Sequence, residues 1–261
     1  MIHASESQHW YTRTGEPAYT VKAKDGSDRP ATLRDARKLG LVPSVTAIIK
    51  CAAAPGLERW KQDQVLHAAL TLPRGATEPE AQWIERVWTD SRETARKASE
   101  RGTAVHGAIQ GSYECKHPGP EYLPHALAAD GAITDWLEMP SGLTVEAERS
   151  FASRIGFGGK VDLIGEPPEF VVDFKTKEFD DTTPLKTWDE HAMQLAAYRH
   201  GLEMHEARCA IVYVSVSVPG IAKLIEIPEA DLQKGWKMFL GLLDYWKAKT
   251  GFESGWLKEA A

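Results

Sequence analysis

The sequence has little cysteine. Cys51, Cys115 and Cys209 are its three, far apart and without a CxxC pair. A zinc site or a four-cysteine cluster within one chain is therefore not expected, and a reducing, cytoplasmic setting fits. No apolar run reaches the length that crosses a membrane. The opening stretch MIHASESQHW lacks the basic-then-apolar layout of a signal peptide. No internal repeat, low-complexity tract or Pro/Gly/Ser-rich linker breaks the chain, so residues 1–261 are expected to form one domain. Positive charge is not in excess either: 31 Lys and Arg stand against 37 Asp and Glu, a formal net charge of −6. That excludes wholesale wrapping by a polyanion but leaves room for a local basic groove.

What is present is enough for a sizeable core: 43% of the 261 residues are hydrophobic. Residues 8–30 alternate aromatic or β-branched residues with polar ones around Gly15 and Gly26, which predicts a short hairpin. Ser44 is placed to cap a short helix, Pro55–Gly56 breaks it, and a second helix carries Trp60. The patterning predicts long helices over 78–112 and 121–138. Three strand-like runs follow, LTVEAERSFAS, FGGKVDLIG and EFVVDFKTK, divided by RIG and GEPP. A helix is expected over 189–203, strands in RCAIVYVSVSV and AKLIEI, and a closing amphipathic helix over 229–250 with Trp236, Phe239, Leu243 and Trp246. This order predicts an α/β (α+β) fold: a central mixed sheet flanked by helices, with 43–140 largely helical and 141–228 forming the sheet core.

Chemistry gathers in GGKVDLIGEPPEFVVDFKTKEF, residues 158–179. Side chains alternate across a strand, so Asp173, Lys175 and Lys177 share one face and Val172 and Phe174 the other. If the two runs pair across GEPP, Asp162 approaches Asp173. Two close carboxylates repel unless a cation lies between them, and oxygen-rich ligand sets select Mg²⁺ or Mn²⁺. A lysine beside such an ion can stabilise charge developing on a phosphate. The plainer account is a solvated hairpin edge. In SRETARKASERGTAVHGAIQ, Arg92, Arg96, Ser99, Thr103 and His106 recur three or four residues apart and form one polar stripe. Ala95, Ala98, Gly102, Val105 and Ile109 form an adjacent small and apolar stripe. His106 lies at their border; the alternative to a metal ligand is a half-buried histidine satisfied by a backbone carbonyl. Gln194 and Tyr198, four apart, share a helical face. The alternative for them is a surface Gln and a core-edge Tyr. Arg92, Arg96, Lys97 and Arg101 are the best basic cluster, although Glu93 and Glu100 beside them also fit a solvated face.

Taken in order, RGTAVH, ERSF, GGKVD, VVDFKTK and QLAAY resemble the motifs of RecB-type nucleases in the PD-(D/E)XK superfamily, among them phage exonuclease-like proteins and the mitochondrial genome maintenance exonuclease. The upstream PSVTAIIK and LERW resemble the helical entry of the phage proteins. The resemblance implies a restriction-endonuclease-like core with an N-terminal helical segment. It implies His106, Asp162 and Asp173 as metal ligands with the Phe174 carbonyl, Mg²⁺ or Mn²⁺ as cofactor, and Lys175 as catalytic lysine. Gln194 and Tyr198 would position lysine and DNA. Glu148 would be the acidic residue of the preceding strand, with Glu146 as its rival. Arg92, Arg96, Arg101 and Thr103 would meet DNA together with Gln194 and Tyr198.

The implied activity is a metal-dependent DNA exonuclease acting on single strands or ends in replication, recombination or repair. Its setting would be a bacterial or phage-infected cell, with a recombination or single-strand-binding protein as a further partner. An endonuclease or junction resolvase, or a nuclease-dead DNA-binding module, stand as alternatives. Val161 replaces the proline that names the superfamily, and the cysteines do not match the iron–sulfur arrangement of some relatives, so no cluster is expected.

Overall fold

The computed structural model describes residues 9–53, 55–138 and 142–256. Residues 1–8, and the side chains of Ala95 and Ala98 from the small-residue stripe, lie outside what is described.

The N-terminal segment is a set of short pieces. Strand β1 (Trp10–Tyr11) is followed by β2 (Thr20–Lys22) and β3 (Asp28–Pro30), helix α1 (Leu33–Leu39), β4 (Val42–Pro43) and α2 (Val45–Ile49). The expected hairpin over 8–30 is present in two small pieces, and its first strand has a second partner. Strands β2 and β3 pair around Gly26, and β1 folds back at Gly15, where Tyr11 bridges Pro17, but β1 also crosses to β4 and aligns Trp10 with Pro43. The reason is burial: Trp10 and Tyr11 are apolar enough to be drawn into the core, whereas β2 and β3 remain largely exposed. Ser44 caps α2 as its sequence position predicts, its Oγ accepting from Ala47 N–H at 3.1 Å.

Two long helical pieces follow, α3 (Pro55–Thr71) and α4 (Glu80–Tyr113), then α5 (Leu123–Leu137). The sheet is built from β5 (Thr144–Ser153), β6 (Phe157–Glu166), β7 (Phe170–Lys177), β8 (Arg208–Ser215) and β9 (Ala222–Glu226), in that spatial order. Helix α6 (Asp189–Gly201) crosses from β7 to β8, the one parallel pair in this sheet, and α7 (Glu229–Thr250) is the last helix of the described residues. The result is the expected mixed sheet flanked by helices.

Both faces of the sheet are covered, which explains the continuous apolar runs of β7 and β8. One face buries Val171, Ile211 and Tyr213 against Leu195 of α6 and Phe239, Leu243 and Trp246 of α7. The other buries Phe170, Val172, Phe174 and Val212 against Val105 and Ile109 of α4 and Ala129 and Ile133 of α5. Each fully buried large side chain contributes about 1.5–3 kcal/mol, so helices α4 and α6 are pinned on opposite sides of the same strand. Gly102 lets α4 approach β7 closely: a Cβ there would lie 2.6 Å from Thr176 Oγ1.

Candidate active site

The site forms where the sheet comes apart. The β6–β7 ladder pairs Gly165 with Phe170, Ile164 with Val171 and Leu163 with Val172. Carried one residue further, the same register sets Asp162 opposite Asp173. There the carboxylate takes over from the ladder: Asp162 Oδ2 accepts the Phe174 N–H at 2.8 Å. The Phe174 carbonyl meets His106 Nε2 at 2.9 Å, and that nitrogen lies 3.4 Å from Asp162 Oδ2. His106 thus contacts a backbone carbonyl, as the plainer account held, and the carbonyl is the one singled out as a ligand.

The other neighbour of β6 is interrupted at the same level. The pairs Ala147–Leu163 and Arg149–Val161 bracket Glu148 and Asp162, and Glu148 has φ 58°, a left-handed conformation rare for a residue with a side chain. Both strands change faces here. Leu163 and Ala147 pack towards α4 and α5, whereas Val161 and Phe151 pack towards α6. Simple alternation along the sequence does not anticipate this switch, and it sets Asp162 in a gap between its neighbours.

On the α6 side, Asp173 is 2% exposed and Lys175 Nζ stands 2.7 Å from its Oδ2. Gln194 holds both groups: its amide nitrogen donates to Asp173 Oδ1 at 2.7 Å, and its oxygen accepts from Lys175 at 3.2 Å. The same amide nitrogen donates to Tyr198 Oη at 2.9 Å. Spacing of four on α6 aims both residues at the strand, as the sequence predicts. Gly159 leaves room for this arrangement, since a Cβ there would press within 2.9 Å of the Tyr198 ring.

The electrostatics follow from burial. The Asp162 carboxyl is pushed up to about 6, first by burial and then by the Asp173 charge. Burial disfavours the Lys175 ammonium, but the charge and hydrogen bond of Asp173 outweigh it and leave the pKa raised. Burial, then the charges of Asp173 and Asp162, lifts the Tyr198 phenol far above its usual range, so it stays neutral.

Several sequence candidates go elsewhere. Glu148 forms an ion pair with Lys160, and Glu146 pairs with Arg149 at 2.9 Å. Arg96 is tied to Glu93 and Glu100 along the exposed face of α4, so it follows the solvated-face alternative. Arg92 is exposed, with its guanidinium 5.7 Å from the Trp88 ring centre. Arg101 is exposed, and Thr103 returns its hydroxyl to Ser99 O at 3.0 Å. Residues not singled out from sequence lie close to the centre. Tyr213 sits beside Lys175 in the β7–β8 register, and buried His191 feels the Lys175 charge. Burial, then that charge, lowers the His191 pKa. The three-residue spacing of His191 from Gln194 was the available signal.

Among the described residues, no three His, Cys, Asp or Glu side chains stand as a ready-made metal group. The donors nevertheless fit a hard divalent ion. Asp162, the Phe174 carbonyl and Asp173 supply oxygen, His106 supplies an imidazole, and two carboxylates repel in a buried gap.

The family model of the PD-(D/E)XK nuclease superfamily matches residues 64–240. The chain belongs to the PD-(D/E)XK nuclease superfamily. Proteins of the PD-(D/E)XK class are nucleases, hydrolases acting on nucleic acid, and they typically use divalent metal ions. Among solved structures, SSO0001 is similar at 20% identity and a TM-score of 0.26, over 48% of this chain. The chain spans 61% of the length of SSO0001. An alkaline exonuclease (LHK-Exo) from Laribacter hongkongensis is similar at 12% identity and a TM-score of 0.25, over 74% of this chain and 98% of that one. No curated protein matches the chain. No helix among the described residues is long and apolar enough to cross a membrane.

Proposed function

We propose that this protein is a single-domain, Mg²⁺- or Mn²⁺-dependent DNA exonuclease acting on single strands or ends, cytoplasmic, in replication, recombination or repair. The observation that carries the reading is the Lys175 ammonium, locked beside buried Asp173 by Gln194 at the gap where Asp162 and His106 meet the Phe174 backbone.

Asp162, Asp173, His106 and the Phe174 carbonyl would hold the ion. When bound, it would polarise the phosphate and make water a better nucleophile. Lys175 offers its protons to the charge that builds on the phosphate oxygens during cleavage. Asp173 keeps that ammonium protonated, and Gln194 fixes its direction. Tyr198, neutral throughout, holds the Gln194 amide in turn. Glu148, the acidic residue of the preceding strand, is bracketed with Asp162 in the ladder and is held by Lys160. Arg92 and Arg101 are exposed basic side chains of α4 that would meet phosphates, while Arg96 is already paired.

The test is incubation with end-labelled linear single-stranded, linear duplex and circular DNA, with and without Mg²⁺ or Mn²⁺. Linear strands should shorten while circles resist, and EDTA should stop the reaction. Nicked circles would convert the reading to an endonuclease. No cleavage of any substrate with either ion would sink it.

A further inference from the structure

Trp188 is the most exposed tryptophan of the described residues, at 63%. A lone exposed apolar side chain is ordinary; what is not ordinary is how this one is held. Its backbone N–H donates to Nδ1 of buried His191 at 3.1 Å, and its carbonyl accepts the His191 N–H at 2.9 Å. Two residues earlier, the Lys186 carbonyl accepts from Tyr213 Oη at 2.8 Å. Tyr213 is the strand neighbour of Lys175. The backbone that carries the exposed indole is therefore tied to the strand beside Lys175.

Its displacement from Gln194 along the helix axis is also set. Gln194, which grips Asp173 and Lys175, lies six residues along α6 from Trp188. At about 1.5 Å per residue that is about 9 Å. A nucleic-acid strand covers this in about three nucleotides at roughly 3.4 Å each, and in fewer when stretched. The segment carries both signs: Glu178, Asp180 and Asp181 are exposed acidic residues of the same loop. Lys177 and Lys186 are exposed, and Asp189, next to Trp188, is paired with Lys234 at 3.1 Å. Glu190 follows Asp189, and its field acts on Lys175.

We propose that Trp188 is a stacking platform for an unpaired nucleobase within about three nucleotides of the bond to be cut. The inference rests on the nuclease reading above and deepens it. An exposed indole on a held backbone offers its face to one base, which any unstacked base can meet and a base inside a duplex cannot. The platform therefore favours unpaired strands and frayed ends without selecting sequence.

The experiment uses the full chain and a set of single-stranded oligonucleotides, each with one abasic position at a different distance from the end. Affinities are read by fluorescence anisotropy in Ca²⁺. Wild type should lose about tenfold at one or two adjacent positions, the scale of one stacked base. Trp188→Ala should bind the intact strand about tenfold more weakly and show no added loss at those positions. Trp188→Phe should keep most of the affinity and the same sensitive positions. The side chain is exposed, so both variants should retain the wild-type melting curve. The platform is overturned if Trp188→Ala keeps the wild-type affinity and profile, or if wild type binds but no position is sensitive. A wild type that neither binds nor cuts any strand removes the nucleic-acid reading itself, and the platform with it.

Discussion

Lys175→Met removes an ammonium while keeping most of the aliphatic stem, and the structure gives that change two separable consequences. The first is stability. Asp173, with a side chain 3% exposed, would lose the cation 2.7 Å from its Oδ2. Stranding a buried charge in this way costs about 3–5 kcal/mol. The Lys175 side chain is 34% exposed, so water already screens part of the pair, and the expected loss is about 2–3 kcal/mol. In urea that lowers the midpoint by roughly 1 M, for a slope of about 2–3 kcal/mol/M. The second consequence is rate. Removing a donor aimed at developing charge lowers cleavage by about 10²-fold. The two separate in Lys175→Met combined with Asp173→Asn, which removes the stranded charge: stability should recover while cleavage stays low. Lys177→Met is the control. It lies on the same strand face but is exposed, so its stability should change by less than about 0.5 kcal/mol. The measurements are urea unfolding in EDTA and single-turnover cleavage of a labelled oligonucleotide in Mn²⁺. If Lys175→Met is as stable as wild type, or cleaves at the wild-type rate, the buried-pair argument or the catalytic argument fails, respectively.

Two further outcomes are expected. The Asp162 carboxyl sits near 6 in the fold against an ordinary 3.8, so the folded state holds the proton longer than the unfolded state does. Stability is therefore lost as pH rises from about 4 to 6, and the penalty persists above that. Asp162→Asn has no such charge, so without metal its advantage over wild type should widen between pH 4.5 and 7.5; a constant gap in urea midpoints would refute this. In α7, Gly235→Ala should cost about 1–3 kcal/mol, because its Cβ would lie 2.6 Å from the Ala192 backbone. Gly241→Ala on the same helix meets nothing within 4 Å and should stabilise by about 0.5–1 kcal/mol, so thermal melts moving the two in the same direction would contradict the close α6–α7 approach.

The sequence by itself determined the elements and the residues that share a face. Period two along VVDFKTK put Asp173 and Lys175 together, spacing of four paired Gln194 with Tyr198, and Ser44 announced a helix start. Each of these signals is local, carried by the repeat of a strand, the turn of a helix or a cap. What only the tertiary structure decided was non-local. Trp10 keeps its own turn, its carbonyl accepting the Ala18 N–H at 2.8 Å, but buried beside β4 it gains a second strand partner that no local repeat announces. Glu148 and Asp162 mark the level where two strands change faces, which alternation cannot foresee because it assumes an unbroken ladder. Arg96 belongs to Glu93 and Glu100, whereas His106, from the same stripe, turns to Phe174 because α4 is packed on β7 by Val105 and Ile109. Trp188 offers no periodic signal at all. Its setting comes from Tyr213 and His191, residues brought beside it by the parallel pairing of β7 and β8 and the helix that joins them.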